Sequence, residues 1–283
     1  MILSFHPCFE GDHNIICAGR SPGDDDLLAI KAADAVILPQ GCYRSLYEMA
    51  RDNCPHIFPN YDVRFRYPGK IGQIKLFRKT NVSHPKTTIY ETVNTLFNAN
   101  ELQIKNMDFD FPFVFKFDWG GEGDTVFLIK TRADFKRILQ KAAIYERTGQ
   151  KGFLIQEYIP SRNRSLRVVV VGQTMMSYWR IQKNPQDFLT NLAKGAVIDR
   201  DSEQQLQKAA VLKVKDFCRT TKINLAGFDI LFSAAPEKAG PFFLEINHFF
   251  GRGGFSSSDH FYALLGTETR QWLKSVGLSL SST

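Results

Sequence analysis

The sequence predicts a mixed α/β protein, with short strands and helices interleaved along the whole chain. Three observations predict it. Apolar strings of strand length recur between residues 112 and 247, separated by glycine turns and short polar segments. Stretches with apolar positions at helical spacing lie between and before them. No internal repeat, long low-complexity tract or membrane-length apolar run interrupts the pattern.

The first 68 residues read as a small α/β unit. Ile2–Phe5, Asn14–Ala18 and Ala35–Pro39 are candidate strands. Asp24–Asp26 offers an N-cap for a helix over Leu27–Ala33, and Ser45–Arg51 is a second short helix. Pro55, Pro59 and Pro68 break up the exit from this unit. Residues 70–82 place Ile71, Ile74 and Phe77 at helical spacing, Pro85–Thr88 reads as a loop, and Glu91–Leu102 reads as another helix.

From residue 112 the pattern changes. Phe113–Phe117 and Val126–Lys130 read as a hairpin around the glycine-rich tip Trp119–Gly123. Ala133–Tyr145 is an amphipathic helix with Phe135, Ile138 and Leu139 on one face. Phe153–Ile159, Leu166–Val171 and Thr174–Ile181 are strands, and Ser202–Thr220 is a long helix. Gly227–Ser233 and Pro241–Asn247 form the last strand pair, followed by the glycine-rich loop Gly251–Gly254.

Composition narrows the function classes. The 283 residues are 43% hydrophobic and 23% charged, ordinary values for a globular core, and 24 phenylalanines supply large buried area. The net charge of +7 favours anionic partners, but no Lys/Arg run marks a nucleic-acid groove or a membrane surface. The five cysteines, at 8, 17, 42, 54 and 218, are widely spaced with no CxxC. That argues against a disulfide framework or a zinc ribbon and for reduced thiols in the cytoplasm.

The residues that can carry chemistry cluster in the second half. Asp229 sits within GFDILF and Glu245 within FFLEIN. An antiparallel pair can set these carboxylates side by side, and Asn247, two residues on, shares the face of Glu245. Two acids among apolar neighbours need compensation. A hard cation such as Mg²⁺ is one answer, and an arginine partner for each acid is the other. The residues alone do not choose between them. Lys116 interrupts an apolar strand just before Gly120, Gly121 and Gly123. A point charge beside approachable amides suits phosphate, although the chain has no Walker GK[ST] motif. Gln156, Glu157, Tyr158 and Ile159 close a strand whose edge can face an adenine ring. Arg162, Arg164, Arg167, Arg180, Lys183 and Lys194 crowd one stretch around Asn191, and Arg167 and Arg180 stand out because they lie in or beside apolar strands.

Taken in order, these elements resemble the ATP-grasp superfamily, and within it the RimK-type, alpha-L-glutamate ligase-like carboxylate–amine ligases. The resemblance covers roughly residues 66–254. It implies an ATP-grasp fold with a short N-terminal pre-ATP-grasp α/β unit (1–69), a lid subdomain with the glycine loop (70–157) and a C-terminal subdomain with the metal site (158–283). It implies that Lys70 and Lys116 bind the phosphates of ATP and that Gly120–Gly123 closes over them. Glu157 and the Tyr158–Ile159 backbone hold adenine, with Gln156 and Arg167 beside them. Asp229, Glu245 and Asn247 hold Mg²⁺, with Mn²⁺ as a substitute, and Arg180 and Asn191 face the acyl phosphate.

The chain departs from the family at three places. Ser165 stands where related ligases often place an acid for the ribose. The loop His248-Phe-Phe-Gly-Arg-Gly-Gly254 replaces a stretch of small residues and proline, and within it His248 is either an acceptor contact or an ordinary loop histidine. The N-terminal unit is short. The implied activity is ATP-dependent amide formation from small-molecule or peptide carboxylate and amine substrates, such as addition of glutamate to an acceptor. A small-molecule kinase and a nucleotide-binding regulator without ligase activity are the alternatives on the same fold. Homo-oligomer formation stays open, and neither nucleic acid nor membrane is expected as a partner.

Overall fold

The structure is a computed structural model. It describes residues 1–98, 101–104, 109–121, 123–184, 187–235 and 240–281, with backbone alone for 97–98 and 101–104. The N-terminal unit is a parallel four-stranded sheet in the order β2-β1-β3-β4, built from β1 (Ile2–Ser4), β2 (His13–Asn14), β3 (Ala35–Ile37) and β4 (His56–Phe58). Two helices, α1 (Asp24–Lys31) and α2 (Arg44–Asn53), connect these strands. Gly23, not an aspartate, caps α1. Asp24, Asp25 and Asp26 instead fill its first turn, where the helix dipole favours negative charge. The expected strand Asn14–Ala18 shrinks to His13–Asn14, the edge of the sheet.

Two helices follow, α3 (Asp62–Arg66) and α4 (Gly69–Lys79). Next come β5 (Thr87–Tyr90), a 3-10 turn at Val93–Leu96, and the strands β6 (Phe97–Asn98) and β7 (Glu101–Ile104). Here the sequence misleads in two places. Residues 87–88, expected as part of a loop, contribute to β5, and the described part of 91–102 is a 3-10 turn followed by strand, not an α-helix. Thr92, Val93, Asn94 and Thr95 are poor helix formers whose β-branched or amide side chains favour turns and strands.

A second sheet, antiparallel throughout, runs β5-β10-β8-β9 with β8 (Phe113–Phe117), β9 (Val126–Ile129) and β10 (Phe153–Glu157). Helix α5 (Arg132–Arg147) starts at a reciprocal cap, with Thr131 Oγ1 accepting from Asp134 N at 3.1 Å. Its buried Phe135, Ile138, Leu139 and Ala142 pack with Phe113, Phe115, Phe117, Phe153 and Ile155. Because strand side chains alternate, Val114, Lys116, Leu154 and Gln156 must point to the opposite face.

The third sheet, also antiparallel, runs β13-β12-β11-β14-β15. Its strands are β11 (Arg164–Val171), β12 (Thr174–Ile181), β13 (Val197–Asp199), β14 (Leu225–Phe232) and β15 (Pro241–Asn247). One face packs Leu166, Val168, Val170, Phe228 and Ile230 against α4 and α6 (Gln204–Thr221). The other face packs Val169, Val171 and Leu225 against α7 (Ser258–Ser275) and the N-terminal sheet. α7 has no counterpart among the expected elements, and its helix opens on Ser257, whose side chain accepts from His260 N.

Candidate nucleotide and metal site

Strand register builds the site. Partners across an antiparallel ladder share a face, and the pairs Ser165↔Arg180, Arg167↔Tyr178, Arg167↔Asp229, Asp229↔Glu245 and Gly227↔Asn247 chain together. Four strands therefore offer polar side chains at one end of the face that α7 covers further along. A bulge between Asp229 and Ile230 leaves Leu244 without a ladder partner, so Leu244 and Glu245, adjacent in sequence, both reach the same cavity.

That cavity, about 480 Å³, separates the second and third sheets. Lys70, Lys116, Gly121, Gly123, Gln156, Glu157, Tyr158, Ile159, Arg167, Arg180, Asn191, Asp229, Glu245 and Asn247 all line it. Residues some 175 positions apart in sequence thus line one cavity. Two expected residues do not line it. Gly120 adopts φ +81°, and a side chain there would strike Thr125, so its role is to turn the loop. Ser165 is fully buried. It hydrogen-bonds Thr190 Oγ1 at 2.6 Å and accepts from Arg180 Nη2 at 2.9 Å, which orients the guanidinium.

Asp229 is held by two buried arginines. Arg167 donates Nε to Oδ1 at 2.6 Å and Nη2 to Oδ2 at 3.1 Å, and Arg180 Nη2 lies 2.7 Å from Oδ1. Asn247 Nδ2 donates to Oδ2 at 3.2 Å. Burial alone would raise the carboxyl's pKa, but Arg167 and Arg180 outweigh it and hold Asp229 below the usual carboxylate range. The arginine pairing that the sequence left open is therefore real for Asp229. Glu245 differs, since its half-buried carboxylate has no hydrogen bond or ion pair among the described residues. Glu245, with Asp229 across the ladder and Asn247 two residues on, offers side-chain oxygens of the kind a hard divalent cation takes.

Across the cavity lie the lysines. Burial pushes Lys116 down to about 8, against the pull of Glu245, and burial also lowers Lys70, with Glu245 and Asp118 opposing. Lys70 Nζ donates to the carbonyls of Trp119 at 3.1 Å and Gly120 at 3.0 Å, so it braces the glycine loop. Asp118 in turn accepts from Ile71 N at 2.7 Å, tying the start of α4 to the end of β8. The far side of the loop meets the segment around Asn191, through the Lys194–Asp124 pair at 2.7 Å and through Gly123, where a side chain would touch Leu189.

Several lining residues had no mark in the sequence. Tyr178 faces Arg167 across the ladder, and its position two residues before Arg180 was the available signal. Phe188, Leu189, Leu231 and Phe249 reach the cavity from loops and strand ends where periodicity says nothing. Gln73 lies outside the main cavity but grips both backbone groups of Ile246 at 2.8 Å, fixing β15 between Glu245 and Asn247.

A cavity gripped between two antiparallel sheets, with lysines on one side and acids on the other, is the arrangement of an ATP-grasp fold. The model of the RimK-like ATP-grasp domain matches residues 68–260, and the chain belongs to that family. It is 23% identical over 181 residues to a protein described as glutamate–LysW ligase ArgX from Sulfurisphaera tokodaii, a stretch covering 63% of this chain and 62% of that one. The chain thus spans less than two thirds of the length of this relative. Among solved structures, it resembles a RimK-domain ATP-grasp protein from Sphaerobacter thermophilus with a TM-score of 0.61 at 11% identity, covering 94% of this chain and 98% of that one. It also resembles a D-alanine–D-alanine ligase from Bacillus anthracis complexed with ATP, with a TM-score of 0.60 at 14% identity, over 93% of this chain and 85% of that one. No described helix is long and apolar enough to cross a membrane.

Proposed function

We propose that the chain is an ATP-dependent carboxylate–amine ligase that works through an acyl phosphate. The observation that carries this reading is Glu245, a carboxylate without a protein partner, set beside Asp229 and Asn247 and opposite Lys70 and Lys116. In this reading residues 70–157 act as the lid and 158–283 as the base that carries the metal site. Glu157, Tyr158 and Ile159 receive adenine, and Lys70 and Lys116 neutralise phosphate charge. Asp229, Glu245 and Asn247 hold Mg²⁺, which supplies positive charge to the phosphates when bound.

A substrate carboxylate then attacks the γ-phosphate, ADP leaves, and an amine displaces phosphate from the acyl phosphate with loss of a proton. Arg180, fixed by Ser165 and Asp229, stabilises the charge that develops on the transferred group. No protein nucleophile is required. Glutamate as one substrate is supported by the name of the relative from Sulfurisphaera tokodaii. All five cysteines are free thiols, four of them buried, which supports a reducing, cytoplasmic setting.

The test is a screen for ADP release over pairs of carboxylates and amines, including acidic amino acids and peptides. Release that needs both an acid and an amine is expected. Release driven by a hydroxyl compound alone marks a kinase, and nucleotide binding without any release marks a regulator.

A further inference from the structure

The loop His248–Gly254 meets the N-terminal unit along a seam that holds two orphaned polar atoms. Gln40 is 6% exposed, and its Nε2 has no hydrogen-bond partner. His248 keeps partial exposure, but its Nδ1 is sealed from solvent and equally unpartnered. Buried donors left unpaired are costly and rare in folded proteins.

Both lie beside Arg64. Its Nη1 donates to the Gln40 carbonyl at 3.2 Å, and its charge is felt at the His248 ring. The Arg64 guanidinium stacks over Tyr61 and Phe65 at 5.1 and 4.8 Å and has no carboxylate partner among the described residues. Tyr61 also meets the His248 ring edge-on at 6.1 Å. A fixed guanidinium and an amide N–H, both lacking an anion, with an imidazole nitrogen alongside, form a set of groups suited to a carboxylate.

Phe249 links this seam to the nucleotide cavity. Its ring lines the cavity, is 71% exposed, and lies 3.6 Å from the position a side chain on Gly41 would take. It therefore lies over the residue next to Gln40, with most of its own surface in solvent.

We propose that Arg64, Gln40 and His248 form a subsite for a carboxylate of the amino-acid or peptide substrate, one other than the carboxylate that is activated, with the Phe249 ring as its cover. This deepens the ligase reading and rests on it for the substrate class. The subsite lies beyond the residues that hold nucleotide and metal, so it selects substrate without touching the phosphates.

Calorimetric titration tests it on the full chain. The probes are L-glutamate and tri-L-alanine, the peptide as free acid and as C-terminal amide, with and without Mg-ADP. The free acids are expected to bind and the amide to bind at least tenfold more weakly. Arg64→Gln should lose at least tenfold in affinity for the free acids, Arg64→Lys should recover part of it, and Mg-ADP affinity should stay unchanged in both. A shift of the His248 ring resonance on adding free acid, assigned with His248→Gln, is the structural readout. Equal binding of acid and amide, no binding of any free acid, or full affinity in Arg64→Gln overturns the subsite. Failure of the wild-type chain to bind Mg-ADP overturns the nucleotide reading instead, and the probe titrations without nucleotide still judge the subsite.

Discussion

The two sheets that enclose the cavity are built alike and furnished differently. Each is antiparallel, but the second sheet packs one face on α5, whereas the third packs one face on α4 and α6 and part of the other on α7. On the second sheet the cavity face is Val114, Lys116, Leu154 and Gln156, one charge among mostly apolar neighbours. On the third sheet the same alternation delivers Arg167, Arg180, Asp229, Glu245 and Asn247. Burial of the single cation on the second sheet depresses the Lys116 pKa, whereas the third sheet cancels most of its charges internally through the Asp229 bridges. Of the two acids on the third sheet, Glu245 alone has no hydrogen bond or ion pair among the described residues.

This contrast is open to attack by mutation. The largest effect on turnover is expected at the two acids, and Glu245 separates it from stability. Glu245→Ala should lose about 4 kcal/mol of transition-state stabilisation, roughly 10³-fold in Mg-dependent ATP turnover. Its melting temperature should match the wild type, because no protein partner is orphaned. A fully active variant would sink the metal assignment.

Asp229→Ala should lose turnover as completely and also lose about 3 kcal/mol of stability, because it strands two buried guanidinium groups. If thermal melts show Asp229→Ala and Glu245→Ala equally stable, the distinction between the two acids collapses.

Lys116→Ala should weaken ATP binding by about tenfold, read by calorimetry. In the wild type, ATP affinity should fall as pH rises through about 8, where the buried lysine gives up its proton, and Lys116→Met should flatten that dependence. The sign for stability is opposite. The folded pKa lies below the ordinary 10.5, so between 8 and 10.5 the unfolded chain holds the extra proton, and this group adds stability to the nucleotide-free protein as pH rises.

The smallest effect on turnover is expected at Gly254, where an added Cβ would lie 2.1 Å from the Tyr178 ring. Gly254→Ala should cost about 1–3 kcal/mol through overpacking and shift Tyr178 at the cavity wall, without the loss of turnover seen at Glu245. Wild-type stability there would mean that the ring has room to move.

Much of this was legible in the sequence, for a physical reason. Lys116 inside an apolar strand, and Asp229 and Glu245 inside two more, are conflicts between polarity and pattern, and such conflicts mark places where another force compensates. Hairpins with glycine tips declared themselves through short apolar runs on either side of a glycine turn. The segment 91–102 did not, because its apolar residues also fit a helical spacing while its Thr and Asn residues favour turns. α7 was missed for the opposite reason, since its amphipathic stretch follows the chemistry-bearing loops and carries no motif.

The sequence by itself determined the order of the elements and the residue types at the site, because alternation and side-chain chemistry are local properties. Only the tertiary structure decided which charges are already matched. Register set Asp229 against Arg167 and Arg180, the bulge at Leu244 left Glu245 facing the lysines, and chain folding brought Gln40 and Arg64 to His248. Each of these depends on pairings across tens to hundreds of residues, which no local pattern encodes.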